Sequence, residues 1–196
     1  MNTTLGKLMI MAALPALGGC DELEPNGAAN YASFAEISVD AVAMQDKYVD
    51  VDGDLLPGLT PADAADIPTT GTGTYSGFVS GDVGGSQLIG QLTMDANFAT
   101  NAVDSEAWNF IHETDGAYAG TLAGSGIVAR TPPPGGSQVT SNLTGTLTNG
   151  GTDYVTSLTL EGDLLLYGLS PVGAIAGETE GFVGSDTFDG RFAAER

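Results

Sequence analysis

The sequence has one cysteine, Cys20, and one histidine, His112, in 196 residues. A lone thiol excludes an intramolecular disulfide framework and any multi-cysteine metal site. A lone imidazole leaves any Ser-His-Asp triad or histidine zinc site resting on that residue alone. No Gly-x-Ser-x-Gly elbow or phosphate loop accompanies it. Positive charge is scarce too: five Lys and Arg stand against 25 Asp and Glu, a formal charge of −20. Affinity for nucleic acid or anionic lipid headgroups rests on basic side chains, so both are expected to be repelled. A cationic partner, a divalent ion or simple solubility in a salty medium fits this charge. What is abundant is glycine, 29 residues, within a 42% hydrophobic composition that describes a folded, β-rich chain.

The start of the chain carries one charge, Lys7, and then an apolar run from Leu8 to Leu17. The run has the length of a secretory h-region and is too short to cross a bilayer as a helix. It closes on Leu17-Gly18-Gly19-Cys20, which is similar to the lipobox of bacterial lipoproteins. The resemblance implies a signal peptide over residues 1–19, cleavage before Cys20, and acyl groups on that cysteine. The alternative is an ordinary signal peptide cut nearby. Removing Lys7 leaves four Lys and Arg against 25 acids, a mature charge of −21. At about 0.8 kcal/mol per buried CH₂, two or more acyl chains anchor a protein without a transmembrane helix.

Residues 20–30 are small and acidic without periodicity, as in a flexible tether. Residues 31–73 form an N-terminal segment. Within it Phe34, Ile37, Ala41, Met44 and Tyr48 recur at three- and four-residue steps, the pattern of a short helix, although Ile37 to Val39 also reads as a strand start. Leu55 to Gly73, with Pro57, Pro61 and Pro68, reads as a loop.

From residue 74 to 196 the period changes to two. Leu88, Gly90, Leu92 and Met94 share one face against Gln91, Thr93 and Asp95. Leu158 and Leu160 likewise oppose Ser157, Thr159 and Glu161. Strands are predicted near 74–81, 87–95, 102–111, 117–129, 138–148, 153–166, 172–183 and 187–193, separated by turns too short for parallel crossovers. The fold class is therefore all-β, an eight-stranded antiparallel up-and-down barrel after a short helical or irregular segment, with a sandwich as the rival. An eight-stranded interior is either filled by side chains or holds one small ligand. A lipid-embedded barrel would need an outward apolar band with aromatic girdles, and the polar faces here are rich in Thr, Ser and Asn.

The closing segment, Ala176 to Ser185 followed by Phe188-Asp189-Gly190-Arg191-Phe192, together with the lipobox and Gly-rich hairpins, resembles the small β-barrel domain of transferrin-binding-protein-B-like surface lipoproteins. The resemblance covers roughly residues 72–196. Gly181-Phe182-Val183-Gly184 and Gly190-Arg191-Phe192 match the family's last hairpin, while Ser185 stands where proline is usual. The likeness implies surface display on the outer membrane in support of iron, haem or protein capture. Phe182, Phe188 and Phe192 are expected to plug the barrel end.

Asp50, Asp52 and Asp54, around Gly53, are the candidate metal ligands, because alternating carboxylates converge oxygens on a hard cation such as calcium. The EF-hand register fails: counting from Asp50, Leu55 holds the glycine position and Pro61 that of the glutamate. His112 reads as a surface residue at a strand end, with haem ligation by His112 or Tyr118 as the sharper option. Trp108 with Phe110 reads as core or barrel-rim packing, and Arg130 to Gly136 as a stiff exposed hairpin tip. The leading expectation is a non-enzymatic, monomeric, lipid-anchored envelope protein that presents its barrel as a binding module. It touches the bilayer through Cys20 and does not bind nucleic acid. A structural or adhesive lipoprotein without a small-molecule ligand is the alternative.

Overall fold

A computed structural model describes residues 30–167 and 170–196. The expected signal segment, Cys20 and nearly all of the tether lie outside them. Residues 31–196 form one compact unit.

Among the described residues one helix, α1 (Phe34–Gln45), precedes nine strands. Ser33 caps α1, its Oγ accepting the Glu36 amide, while the Glu36 carboxylate reaches back to the Ala32 amide. These bonds satisfy donors that a helix start otherwise leaves open. The strands are β1 (Thr72–Val83), β2 (Ser86–Asn97), β3 (Ala102–His112), β4 (Gly116–Tyr118), β5 (Leu122–Val128), β6 (Val139–Asn149), β7 (Thr152–Tyr167), β8 (Ser170–Val183) and β9 (Asp186–Glu195). Antiparallel pairing runs β1-β2-β3-β5-β6-β7-β8-β9 and returns to β1, where Ser76 meets Glu195 and Asp82 meets Asp189. That last pairing closes the barrel and removes the sandwich. The architecture is a closed eight-stranded antiparallel barrel with β4 as an extra strand.

The single strand expected over 117–129 is divided. β4 pairs with the end of β3, Ala119 bridges to Thr148 of β6, and β5 resumes at Leu122. Gly120 causes the break: it holds φ +121°, and a Cβ there would stand 2.4 Å from the Thr146 carbonyl oxygen.

Alternation puts Tyr75, Val79, Leu88, Leu92, Met94, Val103, Leu122, Leu143, Leu147, Leu158, Leu160, Leu164, Ile175, Phe188 and Phe192 in one contiguous core. Burial of each such side chain contributes about 1.5–3 kcal/mol, which makes this cluster the main stabilising feature. Of the two options for an eight-stranded interior, this barrel takes the filled one. Phe110 fits because Gly90 lies beneath it; a Cβ there would meet its ring at 2.5 Å. Phe188 and Phe192 are in the core as expected, but Phe182 points outward and is 44% exposed. Its even-numbered position on β8 shares the outer face with Glu178 and Glu180.

The segment before the barrel wraps it. Ile37 and Ala41 of α1 pack on the outward residues Phe78, Ile89 and Ile111. Gln45 is buried at the helix end. Its amide donates to the carbonyls of Phe78 and Arg191, and its oxygen accepts from Ser80 at 2.9 Å. Tyr48 and Val49 then pack on Leu165, Ala174, Ala176 and Ala193. Farther on, Ala62 and Ile67 join the barrel core. The proline-rich loop expected over Leu55 to Gly73 is therefore a lid, tied down by the Ala62 amide on the Leu164 carbonyl at 2.7 Å and by Gln138 on the Ala62 carbonyl at 2.6 Å.

Candidate functional site

Asp50, Asp52 and Asp54 lie in the turn between α1 and the lid. One carboxylate oxygen of Asp50 accepts the amides of Asp52 at 3.0 Å and Asp54 at 3.1 Å, and the Asp50 amide donates to the Asp54 carbonyl. The Asp50 carboxylate thus closes its own loop, as short acidic side chains do in turns. Among the described residues no group of three or more His, Cys, Asp or Glu is placed to hold a metal ion. Gly53, at φ +90°, brings the turn against β8, where a Cβ would stand 2.7 Å from the Glu178 Cα.

His112 is buried rather than superficial, because the β3–β4 turn folds back over it. Its Nδ1 lies 3.2 Å from the Asp115 amide and 3.3 Å from the Asp115 carboxylate, and its Nε2 stands 3.2 Å from the Val83 carbonyl oxygen. Both ring nitrogens are thus occupied. The Tyr118 ring stands edge-on to His112 with centroids 6.1 Å apart, and its hydroxyl donates to Asp115. Burial, reinforced by the charge of Asp115 and by Tyr154, pushes the Tyr118 hydroxyl up to about 12, so at neutral pH it remains a donor. The two residues named for haem form a closed structural cluster.

Trp108 follows Ala107, which faces the core, and so turns to the outer wall while remaining only 7% exposed. A bulge at Asn109, with φ +49°, returns Phe110 to the inside. The Trp108 indole N–H has no hydrogen-bond partner among the described residues. Arg130, read as part of an exposed tip, is half-buried and clamps the lid. Its guanidinium donates to Asn101, to the carbonyl of Ile67 at 2.6 Å, to that of Pro68, and to that of Phe98 at 3.1 Å. Of the rest of the tip, Thr131 and Pro133 to Gly136 are exposed.

The feature that sequence reasoning missed is an acidic wall on the outside of β7, β8 and β9. Strand register sets Glu161 opposite Glu178, Thr159 opposite Glu180, and Glu180 opposite Asp189. An open groove of about 680 Å³ runs between Thr159, Glu161, Glu178, Glu180 and Gly181. A second depression of about 350 Å³ continues past Asp54, Ser137 and Asp163. Burial raises the Glu178 carboxyl above its usual value, and the charges of Glu180, Glu161, Asp54 and Asp189 raise it further. Burial also raises Asp163, against the opposing bond from the Gln138 amide.

Arg191 is the β9 neighbour of Glu178, but its guanidinium turns to Asp46 at 2.8 Å and to the carbonyls of Val49 and Asp50. The signal in the sequence was the alternation Glu178-x-Glu180. Only the register, which is not written locally, adds Glu161 and Asp189.

No helix among the described residues is long and apolar enough to cross a membrane, which leaves crossing by strands unaddressed. The chain matches no protein-family model and no curated protein.

Proposed function

We propose that this chain is a non-enzymatic envelope protein, held to a membrane by acyl groups on Cys20, that presents the barrel as a binding module through its outer surface. The anchor rests on the run from Leu8 to Leu17 closing at Leu17-Gly18-Gly19-Cys20, with Cys20 the sole thiol of the chain. The observation that carries the outside-binding reading is the filled interior. Core side chains occupy the space where a lipocalin-like barrel would hold a small ligand, while uncompensated carboxylates line an open groove on β7 and β8. A partner protein with a basic surface fits that wall better than a small apolar molecule does.

Two measurements test the reading. The intact mass of the chain from an envelope fraction carries acyl groups on a peptide beginning at Cys20, and Cys20→Ser abolishes both them and sedimentation with membranes. Pull-down from envelope and surrounding proteins captures a basic partner, and Glu161→Gln with Glu180→Gln releases it. Capture that survives those substitutions removes the acidic wall from the reading. Persistent absence of any partner moves the protein to the structural alternative.

A further inference from the structure

Besides the face packed on the barrel, α1 carries a second apolar strip. Val39 is 67% and Val42 41% exposed, and Ala35 and Ala43 beside them are also exposed. At about 100° per residue these four positions span roughly 100° of the helix circumference. The acids of the helix lie to one side and are engaged locally: Glu36 accepts the Ala32 amide at 3.0 Å, and Asp40 accepts the Tyr31 hydroxyl at 2.6 Å. Asp46, just beyond the helix, pairs with Arg191.

Two features identify what this strip faces. The first is the distance to the anchor. Ten residues separate Cys20 from Tyr31, and Tyr31 is packed on the Phe78 ring at 5.9 Å between centroids. Fully extended, that connection reaches about 40 Å at most, so α1 is the described element nearest along the chain to the acylated end. The second is the position of the charge. α1 lies across β1, β2, β3 and β9, whereas β7 stands four places from β2 in the eight-membered ring. The groove between β7 and β8 is therefore displaced from α1 around the barrel, while β9, which carries Asp189 at the edge of the acidic wall, is one of the strands that α1 crosses.

We propose that α1 presents Ala35, Val39, Val42 and Ala43 to the surface of the bilayer that holds Cys20, so that the barrel stands with the groove of β7 and β8 turned outward. The proposal rests on the reading of Cys20 as acylated. Two exposed valines and two alanines are a weak lipid contact in free solution, and tethering raises their local concentration enough for such a contact to set orientation. The surface it fits is zwitterionic, because the mature charge of −21, four Lys and Arg against 25 acids, opposes anionic headgroups.

Acylated full-length chain in phosphatidylcholine vesicles provides the test. With the Cys20 sulfur alkylated, Val39→Cys carries the sole free thiol, and Ala43→Cys is a second probe on the same strip. Glu180→Cys reports the acidic face of β8. A fluorophore at Val39→Cys or Ala43→Cys is quenched by nitroxide-bearing lipid and is several-fold less sensitive to iodide than one at Glu180→Cys. Equal iodide access at all three positions in a chain whose mass shows the acyl groups overturns this proposal and leaves the anchor standing. Rapid disulfide cross-linking between copies through Val39→Cys assigns the strip to a second copy and likewise overturns it. A chain lacking the acyl mass overturns the anchor and the orientation together.

Discussion

Glu161 on β7 and Glu178 on β8 stand directly opposite each other across the strands, while Arg191 on the other side of Glu178 is drawn away to Asp46. Like charges in directly opposed positions destabilise a sheet by about 0.2–1 kcal/mol. Glu178→Gln is therefore expected to raise stability at neutral pH by an amount in that range, read as a higher urea midpoint. The folded carboxyl titrates above its usual value, so the native state binds the proton more tightly than the unfolded chain. Its destabilising contribution grows as pH rises through the folded value and is relieved below it. The gain from Glu178→Gln should disappear in acid and shrink in high salt, which screens exposed charges. A substitution that is neutral at pH 7 and low salt would deny the wall its repulsion.

Gln45 fixes the helix to the barrel through three bonds: to Ser80 and to the carbonyls of Phe78 and Arg191. Gln45→Met keeps the length of the side chain but strands those partners in a dry site. Its expected cost is about 1–3 kcal/mol, the penalty for leaving buried polar groups unpaired. Adding Ser80→Ala to Gln45→Met should cost little more, since the hydroxyl has already lost its acceptor. A double-mutant cycle by chemical denaturation measures the coupling, and full additivity would refute it.

The barrel was largely legible because half-buried antiparallel strands write their two faces into the sequence. Leu88, Leu92, Met94, Leu158 and Leu160 face the core as their alternation predicts, and the spacing from Phe34 marks a helix, which ends at Gln45 before Tyr48 is reached. What was not legible depends on residues distant in sequence. The lid looked like a loop because Ala62 and Ile67 have no periodic neighbours, and Arg130 looked like a turn residue because its acceptors lie 29 to 63 positions away in the chain. Composition likewise does not reveal that the Asp50 carboxylate caps its own turn. The break at Gly120 was hidden for a related reason: a glycine in an alternating run does not announce which strand approaches it.

The Arg130 clamp predicts a specific failure. Lysine keeps the charge but has one compact ammonium in place of a planar fork, so Arg130→Lys cannot serve Asn101, Ile67, Pro68 and Phe98 together. The expected loss is about 1–3 kcal/mol in global stability, typical of bonds to a charged donor. Hydrogen exchange separates this from a general loosening: amides of the lid near Ile67 and of Phe98 should exchange faster while those of β7 and β8 keep their order. Uniform acceleration across the barrel would show that Arg130 does not hold the lid in particular.

At the chain end, Glu195 provides a pH test of opposite sign to Glu178. Burial pushes its carboxyl up, but the bonds from Lys47 at 2.9 Å and Tyr48 at 2.8 Å outweigh burial and hold it below the usual 4.5. A depressed folded value means that the unfolded chain binds the proton more tightly, so the stabilisation is present above about 4.5 and is lost as pH falls through the folded value. Lys47 is 46% exposed, which limits the pair to roughly 0.2–1 kcal/mol. Glu195→Gln should therefore lower the urea midpoint slightly at pH 7, while below the folded value wild type and variant converge. Glu178→Gln also converges with wild type in acid, but from above. If Glu195→Gln stabilised the protein at neutral pH instead, burial would outweigh Lys47 and Tyr48, and the contact between the turn after α1 and the end of β9 would be held by packing alone.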